Sequence, residues 1–245
     1  MAVEIPGVLA EALRGARSVA VLTGAGISAE SGVPTFRDAQ TGLWENYRPE
    51  DLATPEAFAR DPGLVWGWYA WRRKLVGGVE PNAGHRALVD LESRVPCFTL
   101  ATQNVDGLHR RAGSRNVLEL HGDISRTVCS RERVVVDPEG LEGEPPRCPE
   151  CGSYLRPDVV WFGEALPFEA FERAQEEARE SDLFLSVGTS SLVQPAASLP
   201  QAALSGGATV VEVNPEPTPL TPHATYSLQS PAGEALPALL AAAHG

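Results

Sequence analysis

Apolar residues gather in short runs along this chain, separated by polar stretches with a longer period. Ser18-Val-Ala-Val-Leu-Thr23, Cys97-Phe-Thr-Leu-Ala-Thr102 and the stretches 117–121, 183–188 and 209–213 are such runs, with no clean in–out alternation. Runs of this kind suit parallel strands buried on both faces. Helix-like stretches lie between several of them, at 7–16, 83–93, 168–181 and 195–206, with Asn82 placed to cap the second. Strands alternating with helices predict an α/β fold on an open, Rossmann-like parallel sheet.

Two stretches interrupt the alternation. Residues 38–81 hold Trp44, Trp66, Trp68 and Trp71 and read as a helical, aromatic module. Residues 125–157 hold three cysteines among prolines and glycines and read as a zinc-ribbon-like module. Together they predict a smaller lobe across a cleft from the Rossmann-like core, which takes 1–37, 82–124 and 158–245 of a single catalytic domain spanning 1–245.

A chain of 245 residues, 43% hydrophobic and 21% charged, can bury one sizeable core. It has no apolar stretch of membrane-spanning length, and its N-terminus lacks the blocks of an export signal. The expectation is a cytoplasmic protein with no membrane partner. The net charge of −12 argues against direct nucleic-acid binding and mildly favours a basic peptide as partner. Four cysteines in such a chain point to metal or buried thiols rather than a disulfide framework. Cys97, inside a predicted strand, reads as a core thiol.

The first strand runs into Gly24-Ala25-Gly26-Ile-Ser-Ala29, a Gly-x-Gly-x-x-Ala turn of the kind that offers backbone N–H groups to a dinucleotide pyrophosphate. Gly24 and Gly26 permit a tight turn and close approach of phosphate, and Ala29 is expected to keep helix and strand close. Pro34-Thr-Phe36-Arg37-Asp38 then adds a ring and a guanidinium that a hydride-transfer turn does not need. A dehydrogenase reading is poor on a second ground, because the position about 20 residues past the glycines already lies in the aromatic stretch.

Thr102-Gln103-Asn104-Val105-Asp106-Gly107-Leu-His109 begins at the carboxyl end of a predicted strand, where ligands bind in open α/β sheets. Gln103, Asn104 and Asp106 offer groups suited to a ribose and a carboxamide, and an Asx-rich turn is the plainer reading of the same residues. His121 ends the next strand-like run, a position suited to a general base, although a lone histidine is more often structural. His85 and His109 are rivals in helical sequence, and His223 and His244 lie in a C-terminal stretch that reads as weakly ordered.

These motifs, with Val160-Trp161-Phe162-Gly163-Glu164 and Gly188-Thr189-Ser190, fall in an order that resembles the sirtuins, the NAD-dependent protein-lysine deacylases, from about residue 8 to about residue 240. The resemblance implies a Rossmann-like domain with a small helical and zinc-bearing lobe. It also implies an enzyme that removes acyl groups from lysine, releasing nicotinamide and O-acyl-ADP-ribose. Carried over by position, Ala25, Phe36 and Arg37 would contact the NAD phosphates and nicotinamide ribose, with Trp44 beside them. Gln103, Asn104, Val105 and Asp106 would line the nicotinamide and ribose pocket. His121 would be the general base, with Asn104 and Asp106 part of the catalytic set. Gly188, Thr189, Ser190, Asn214 and Glu216 would hold the adenosine half, and Ala232 would lie against the adenine. Val160 to Glu164 would take the acyl-lysine peptide as an added strand.

Tyr69 and Arg72 are i,i+3 neighbours on one helix face, a phenol and a guanidinium able to hold a carboxylate. They resemble the Tyr-x-x-Arg pair of class III sirtuins, which remove succinyl, malonyl or glutaryl groups, and Ala53 resembles the small residue that leaves room for a longer acyl chain. The plainer reading is an aromatic helix face with a solvated arginine. Bacterial members of this class also remove acetyl, so dual activity is the expectation. The alternative on the same scaffold is a mono-ADP-ribosyltransferase or NAD glycohydrolase. A non-catalytic NAD sensor is poorer, given His121, Asn104 and Asp106 together.

The zinc pattern is incomplete. Cys148-Pro-Glu-Cys151 supplies one Cys-x2-Cys pair, but the other reads Cys129-Ser-Arg-Glu132, with 15 residues from 132 to 148. The register is kept while one ligand changes. Three outcomes remain open: zinc on Cys129, Cys148 and Cys151 with Glu132 or water, weakly held zinc, or no zinc with a disulfide or free thiols. The first is the expectation.

Overall fold

The computed structural model describes residues 3–34 and 48–245. Helix α1 (Gly7–Gly15) leads into strand β1 (Ser18–Thr23) and the short helix α2 (Ala25–Ala29). Three helices follow, α3 (Pro49–Leu52), α4 (Pro55–Arg60) and α5 (Pro62–Gly77), then α6 (Ala83–Arg94), β2 (Cys97–Thr102), α7 (Leu108–Ala112) and β3 (Val117–Glu119). Strands β4 (Gly122–Cys129) and β5 (Leu155–Val159) form an antiparallel pair of their own. The chain closes with α8 (Phe168–Glu180), β6 (Leu183–Val187), α9 (Leu199–Gly206), β7 (Thr209–Val213), β8 (Tyr226–Leu228) and α10 (Ala232–His244).

The main sheet has the order β3-β2-β1-β6-β7-β8, and every neighbouring pair is parallel. The chain starts at β1, builds outward through β2 and β3, and returns to the other side of β1 as β6. The order therefore reverses between β1 and β6, and in open sheets ligands bind outside the strand ends at such a switch point. The strands carry apolar residues on both faces because helices cover both. Val19 and Val21 pack with α1, α6 and α10, whereas Ala20 and Leu22 pack with α8 and α9.

A third core joins the helices after α2 to the loops at the sheet's end. Leu52, Ala53, Phe58, Val65, Trp68 and Tyr69 pack with Leu108, Ile124, Val159 and Trp161. Capping side chains set where these helices begin: Thr54 accepts from the Ala57 N–H, Asp61 from the Leu64 N–H, and Asn82 from the Gly84 and His85 N–H groups. Arg73 ties α5 to the antiparallel pair through the Ile124 and Arg126 carbonyls and the Thr127 hydroxyl. Around Cys129, Cys148 and Leu155 a small separate core takes in Trp66 of α5.

Three expectations need correction. Cys97 is exposed, because as the first residue of β2 it stands at the open end of the sheet. The C-terminal stretch is not weakly ordered: β8 adds a sixth strand, and α10 buries Ala235, Leu236 and Leu239, with His244 as its last residue. Pro237 inside α10 disguised that helix. Ala29 is exposed, and the residues of α2 that face inward are Ile27 and Ser28. Among the described residues no helix is long and apolar enough to cross a membrane.

Candidate active site

The glycines after β1 meet the glycine after β6 across the crevice. A Cβ on Gly24 would lie 2.8 Å from the Gly188 carbonyl oxygen, and one on Gly26 would lie 2.7 Å from the Gly188 Cα. Gly188 itself has φ +60°, in the left-handed region. The Gly26 N–H donates to the Gly188 carbonyl at 2.8 Å. The close approach that these glycines permit is thus between two strand ends at the switch point. Ala25, between the glycines, is exposed.

Beneath this turn sits a buried polar network. The Asp106 carboxylate accepts from the Ser28 hydroxyl at 2.7 Å and the Leu108 N–H at 2.9 Å. Asn104 Nδ2 donates to the Gly24 carbonyl at 3.0 Å and to Ser28 Oγ at 3.1 Å. Burial pushes the Asp106 carboxyl up, while the Leu108 and Ser28 donors and the Arg72 charge pull it back. Gln103 Nε2 donates to Thr189 Oγ1 at 3.1 Å, tying the loop after β2 to the loop after β6. Ser28 is the member of this network that the sequence motifs passed over. Its one signal was a hydroxyl in a short helix whose other inward residue, Ile27, is apolar.

His121 stands just after β3 with Nδ1 2.8 Å from the Gln103 carbonyl oxygen. A carbonyl only accepts, so Nδ1 carries the proton and the basic lone pair is on Nε2. Burial lowers its pKa from the usual histidine value, and the Gln103 bond partly restores it. The imidazole is therefore neutral at pH 7, as a base must be. The rival histidines are committed elsewhere: His109 Nε2 bonds Thr23 Oγ1 at 2.9 Å, and His85 Nδ1 closes the capping box of α6. Both are fully buried, with their rings 4.9 Å apart.

The residues singled out for substrate meet on the other side of the crevice. The Val160 N–H donates to the His121 carbonyl and the Phe162 N–H to the Ala53 carbonyl, each at 2.9 Å. Trp161 Nε1 donates to the Tyr69 hydroxyl at 3.0 Å. Glu164 pairs with buried Arg156 through both oxygens, at 2.6 and 2.8 Å, and accepts the Trp161 N–H at 2.8 Å. The N–H groups of residues 160–162 and 164 are therefore already engaged. That leaves the Gly163 N–H and the Val160 carbonyl without partners among the described residues. Arg72 stacks over Trp68 with its guanidinium carbon 5.1 Å from the ring centroid; burial lowers its pKa and the Asp106 carboxylate works against that shift.

Other expected positions are more scattered. Val105 is half-buried in the third core, with its carbonyl accepting the Ile124 N–H. Asn214 Nδ2 donates to the Glu216 carbonyl, so these two shape one loop after β7, while Ser190 and Glu216 are exposed. Ala232 is buried at the start of α10, against Gly84 of α6. Phe36, Arg37 and Trp44 lie outside the described residues.

The three cysteines of the small module converge. The sulfurs of Cys129, Cys148 and Cys151 all lie within 4.8 Å of one another, with Cys129 and Cys151 3.4 Å apart. Tetrahedral zinc with thiolates at about 2.3 Å sets sulfurs roughly 3.8 Å apart, so the donor set and spacing fit such a metal. Glu132 does not join them. Its carboxylate pairs with Arg131 at 2.8 Å, and only its backbone N–H reaches Cys129.

A model of the Sir2 family matches residues 24–195, from the first glycine of the turn to the loop after β6. The chain belongs to the Sir2 family. Among its sirtuin relatives, the NAD-dependent protein deacylase 1 of Pseudomonas aeruginosa is 56% identical over 239 residues, covering 94% of this chain and 96% of that protein. An NAD-dependent protein deacylase of Thermus thermophilus is 56% identical over 234 residues, covering 93% and 91%. The crystal structure of a Sir2 homologue in complex with NAD superposes with a TM-score of 0.91 at 47% identity, covering 98% of this chain and 94% of that one. A Sir2 complex with a p53 peptide and NAD+ superposes at 0.83 and 31% identity, covering 94% and 95%.

Proposed function

We propose that this sirtuin is an NAD-dependent protein-lysine deacylase that removes acetyl and acidic acyl groups such as succinyl and malonyl, with His121 as its general base. The observation that carries the reading is the neutral His121 imidazole, anchored through Nδ1 and basic at Nε2, beside the Ser28–Asn104–Asp106 network at the switch point. Bound NAD would supply an electrophilic ribose carbon to the acyl oxygen, with nicotinamide as its leaving group. The crevice at the switch point, rimmed by the turn at Gly24 and the loop at Gly188, would hold the dinucleotide, with Ala25, Phe36, Arg37 and Trp44 toward the phosphates and nicotinamide. Gly188, Thr189, Ser190, Asn214, Glu216 and Ala232 would serve the adenosine end.

His121 Nε2 accepts a proton from a ribose hydroxyl, a step in which a placed base contributes roughly 10²–10⁴-fold. Asn104, Val105, Asp106 and Gln103 line the reacting end, where Asn104 and Asp106 fix the pocket rather than exchange protons. An acyl-lysine peptide lies along Val160 to Glu164, accepting the Gly163 N–H and donating to the Val160 carbonyl. Such contacts read backbone, so the protein substrates are selected little by sequence. The acidic surface, −12 in net charge, favours basic peptides over nucleic acid.

Tyr69 and Arg72 would meet a carboxylate on the acyl group, with Ala53 leaving room beside them. Cys129, Cys148 and Cys151 would hold a structural zinc whose fourth position goes to water, since Glu132 is turned to Arg131. Four free thiols accord with a reducing, cytoplasmic setting.

The test is to incubate the protein with NAD and matched acetyl- and succinyl-lysine peptides and to follow O-acyl-ADP-ribose by mass. Both products are expected. Nicotinamide release with neither product would replace this reading by the glycohydrolase one.

A further inference from the structure

Trp161 is held more firmly than a residue that merely lines a peptide groove. Its ring lies under the Arg156 guanidinium, 3.3 Å from the guanidinium carbon to the ring centroid, with Phe58 at 5.2 Å. Its backbone N–H is fixed by Glu164, which is itself clamped by Arg156. Trp161 is 2% exposed and Tyr69 is 3% exposed. With ring and backbone both fixed, the indole N–H has one direction, and Tyr69 Oη lies along it at 3.0 Å.

An indole N–H only donates, whereas a phenol has one hydrogen to give and lone pairs to accept with. The bond therefore runs from Trp161 to Tyr69, and the Tyr69 hydrogen is left to be given elsewhere. No acceptor among the described residues takes it. Burial pushes the Tyr69 phenol well above its usual range, so it stays protonated. A carboxylate accepts only, and beside Arg72 it would meet one charged and one neutral donor. An acetyl group has no use for either.

We propose that Trp161 is a positioning residue for acyl selectivity: by donating to the Tyr69 oxygen it commits the Tyr69 hydrogen to an acidic acyl group. This rests on the reading that Tyr69 and Arg72 meet the acyl carboxylate. Trp161 touches no reacting atom and acts through Tyr69. Arg156 and Glu164 act one step further back, by holding Trp161.

The test is W161F, which keeps a ring and removes the donor, assayed with NAD and paired succinyl- and acetyl-lysine peptides. The expected result is a selective rise of about five- to tenfold in the succinyl KM relative to the acetyl KM, over and above any loss that the two peptides share. Y69F should show the same selective rise, and the double variant W161F/Y69F should match Y69F alone, because each removes the same bond. Equal losses on both peptides, or additive losses in the double variant, would overturn the proposal. Should W161F fail to fold, the Trp161 indole N–H resonance of the intact protein decides. It is expected to shift on adding succinyl-lysine peptide and to stay in place with acetyl-lysine peptide, and no shift with the succinyl peptide overturns the proposal. If the intact protein removes acetyl but not succinyl, the underlying reading of Tyr69 and Arg72 fails and takes this one with it. If it removes both and W161F leaves their ratio unchanged, only the role of Trp161 fails.

Discussion

At the switch point the polar groups hold one another: Ser28, Asn104 and Asp106 form one set, and Thr23, Thr102 and His109 another, all at the ends of neighbouring strands. Against the helical lobe, Tyr69 is instead held by a chain that begins at an ion pair, Arg156 with Glu164, and reaches it through Trp161. The first arrangement follows from topology, since any sheet of this order brings those strand ends together. The second joins residues 92 apart in sequence across two modules. The strand-end set should govern whether any acyl group is removed, and the lobe should govern which.

The largest break in that comparison is H121A. Both deacylations should fall by roughly 10²–10⁴-fold, with folding unchanged, in steady-state assays of O-acyl-ADP-ribose. The same base sets the acid limb of the rate. Burial holds His121 below the usual histidine pKa of about 6.5, so activity should persist to a lower pH than an exposed histidine would allow.

Acid should next weaken the strand-end region itself. Burial lowers His85 to about 4 and His109 to about 3. Their folded-state pKa values are depressed, so the unfolded chain takes up protons first as pH falls. The stability that the neutral pair contributes is complete above about 6.5 and declines below it, by about 1.4 kcal/mol per pH unit for each ring, until the folded values are reached. Urea midpoints measured between pH 7 and pH 5 should fall accordingly. H109Q, which cannot take up a proton there, should flatten the slope by about half.

On the lobe side, Arg72→Met should cost desuccinylation about 1.5–3 kcal/mol of transition-state binding while sparing most deacetylation. The ratio of the two kcat/KM values is the readout. Equal losses would make Arg72 a structural residue stacked on Trp68 and nothing more.

Much of this was legible in sequence, and the residues explain which part. The five largely apolar runs became strands because a strand covered by helices on both faces is apolar at most of its positions. Asn82, Gly24, Gly188 and His121 were legible because caps, tight turns and strand ends have local signatures. Ser28 was not, since its meaning depends on Asp106, brought near only by the fold. Nor did the sequence reveal that the N–H groups of Val160 to Phe162 are spent on His121, Glu164 and Ala53. Cys97 misled because the local pattern marks a strand but not where the covering helices stop. The three converging cysteines were readable from spacing, whereas the departure of Glu132 toward Arg131 is a side-chain choice that spacing does not record.

The smallest effects should come from two helix caps, one on each side of the comparison. Asn82 accepts from the Gly84 and His85 N–H groups and also donates to the Ile27 carbonyl at 2.7 Å and to Ser31 Oγ at 3.0 Å, so it ties α6 to α2 as well as capping it. Asp61 caps α5 through the Leu64 N–H alone. Asn82→Ala should therefore lower global stability by about 2 kcal/mol, a cap plus tertiary bonds, and Asp61→Ala by about 1 kcal/mol, a cap only. Amide hydrogen exchange separates the two further. Asn82→Ala should speed exchange in β1 and α6 together, because the switch-point region opens as one unit. Asp61→Ala should speed it in the first turns of α5 and leave β1 unchanged. If both variants loosened the sheet equally, the two ends of the site would form one cooperative body. The selectivity built into the lobe could then not be altered without altering the chemistry at the strand ends.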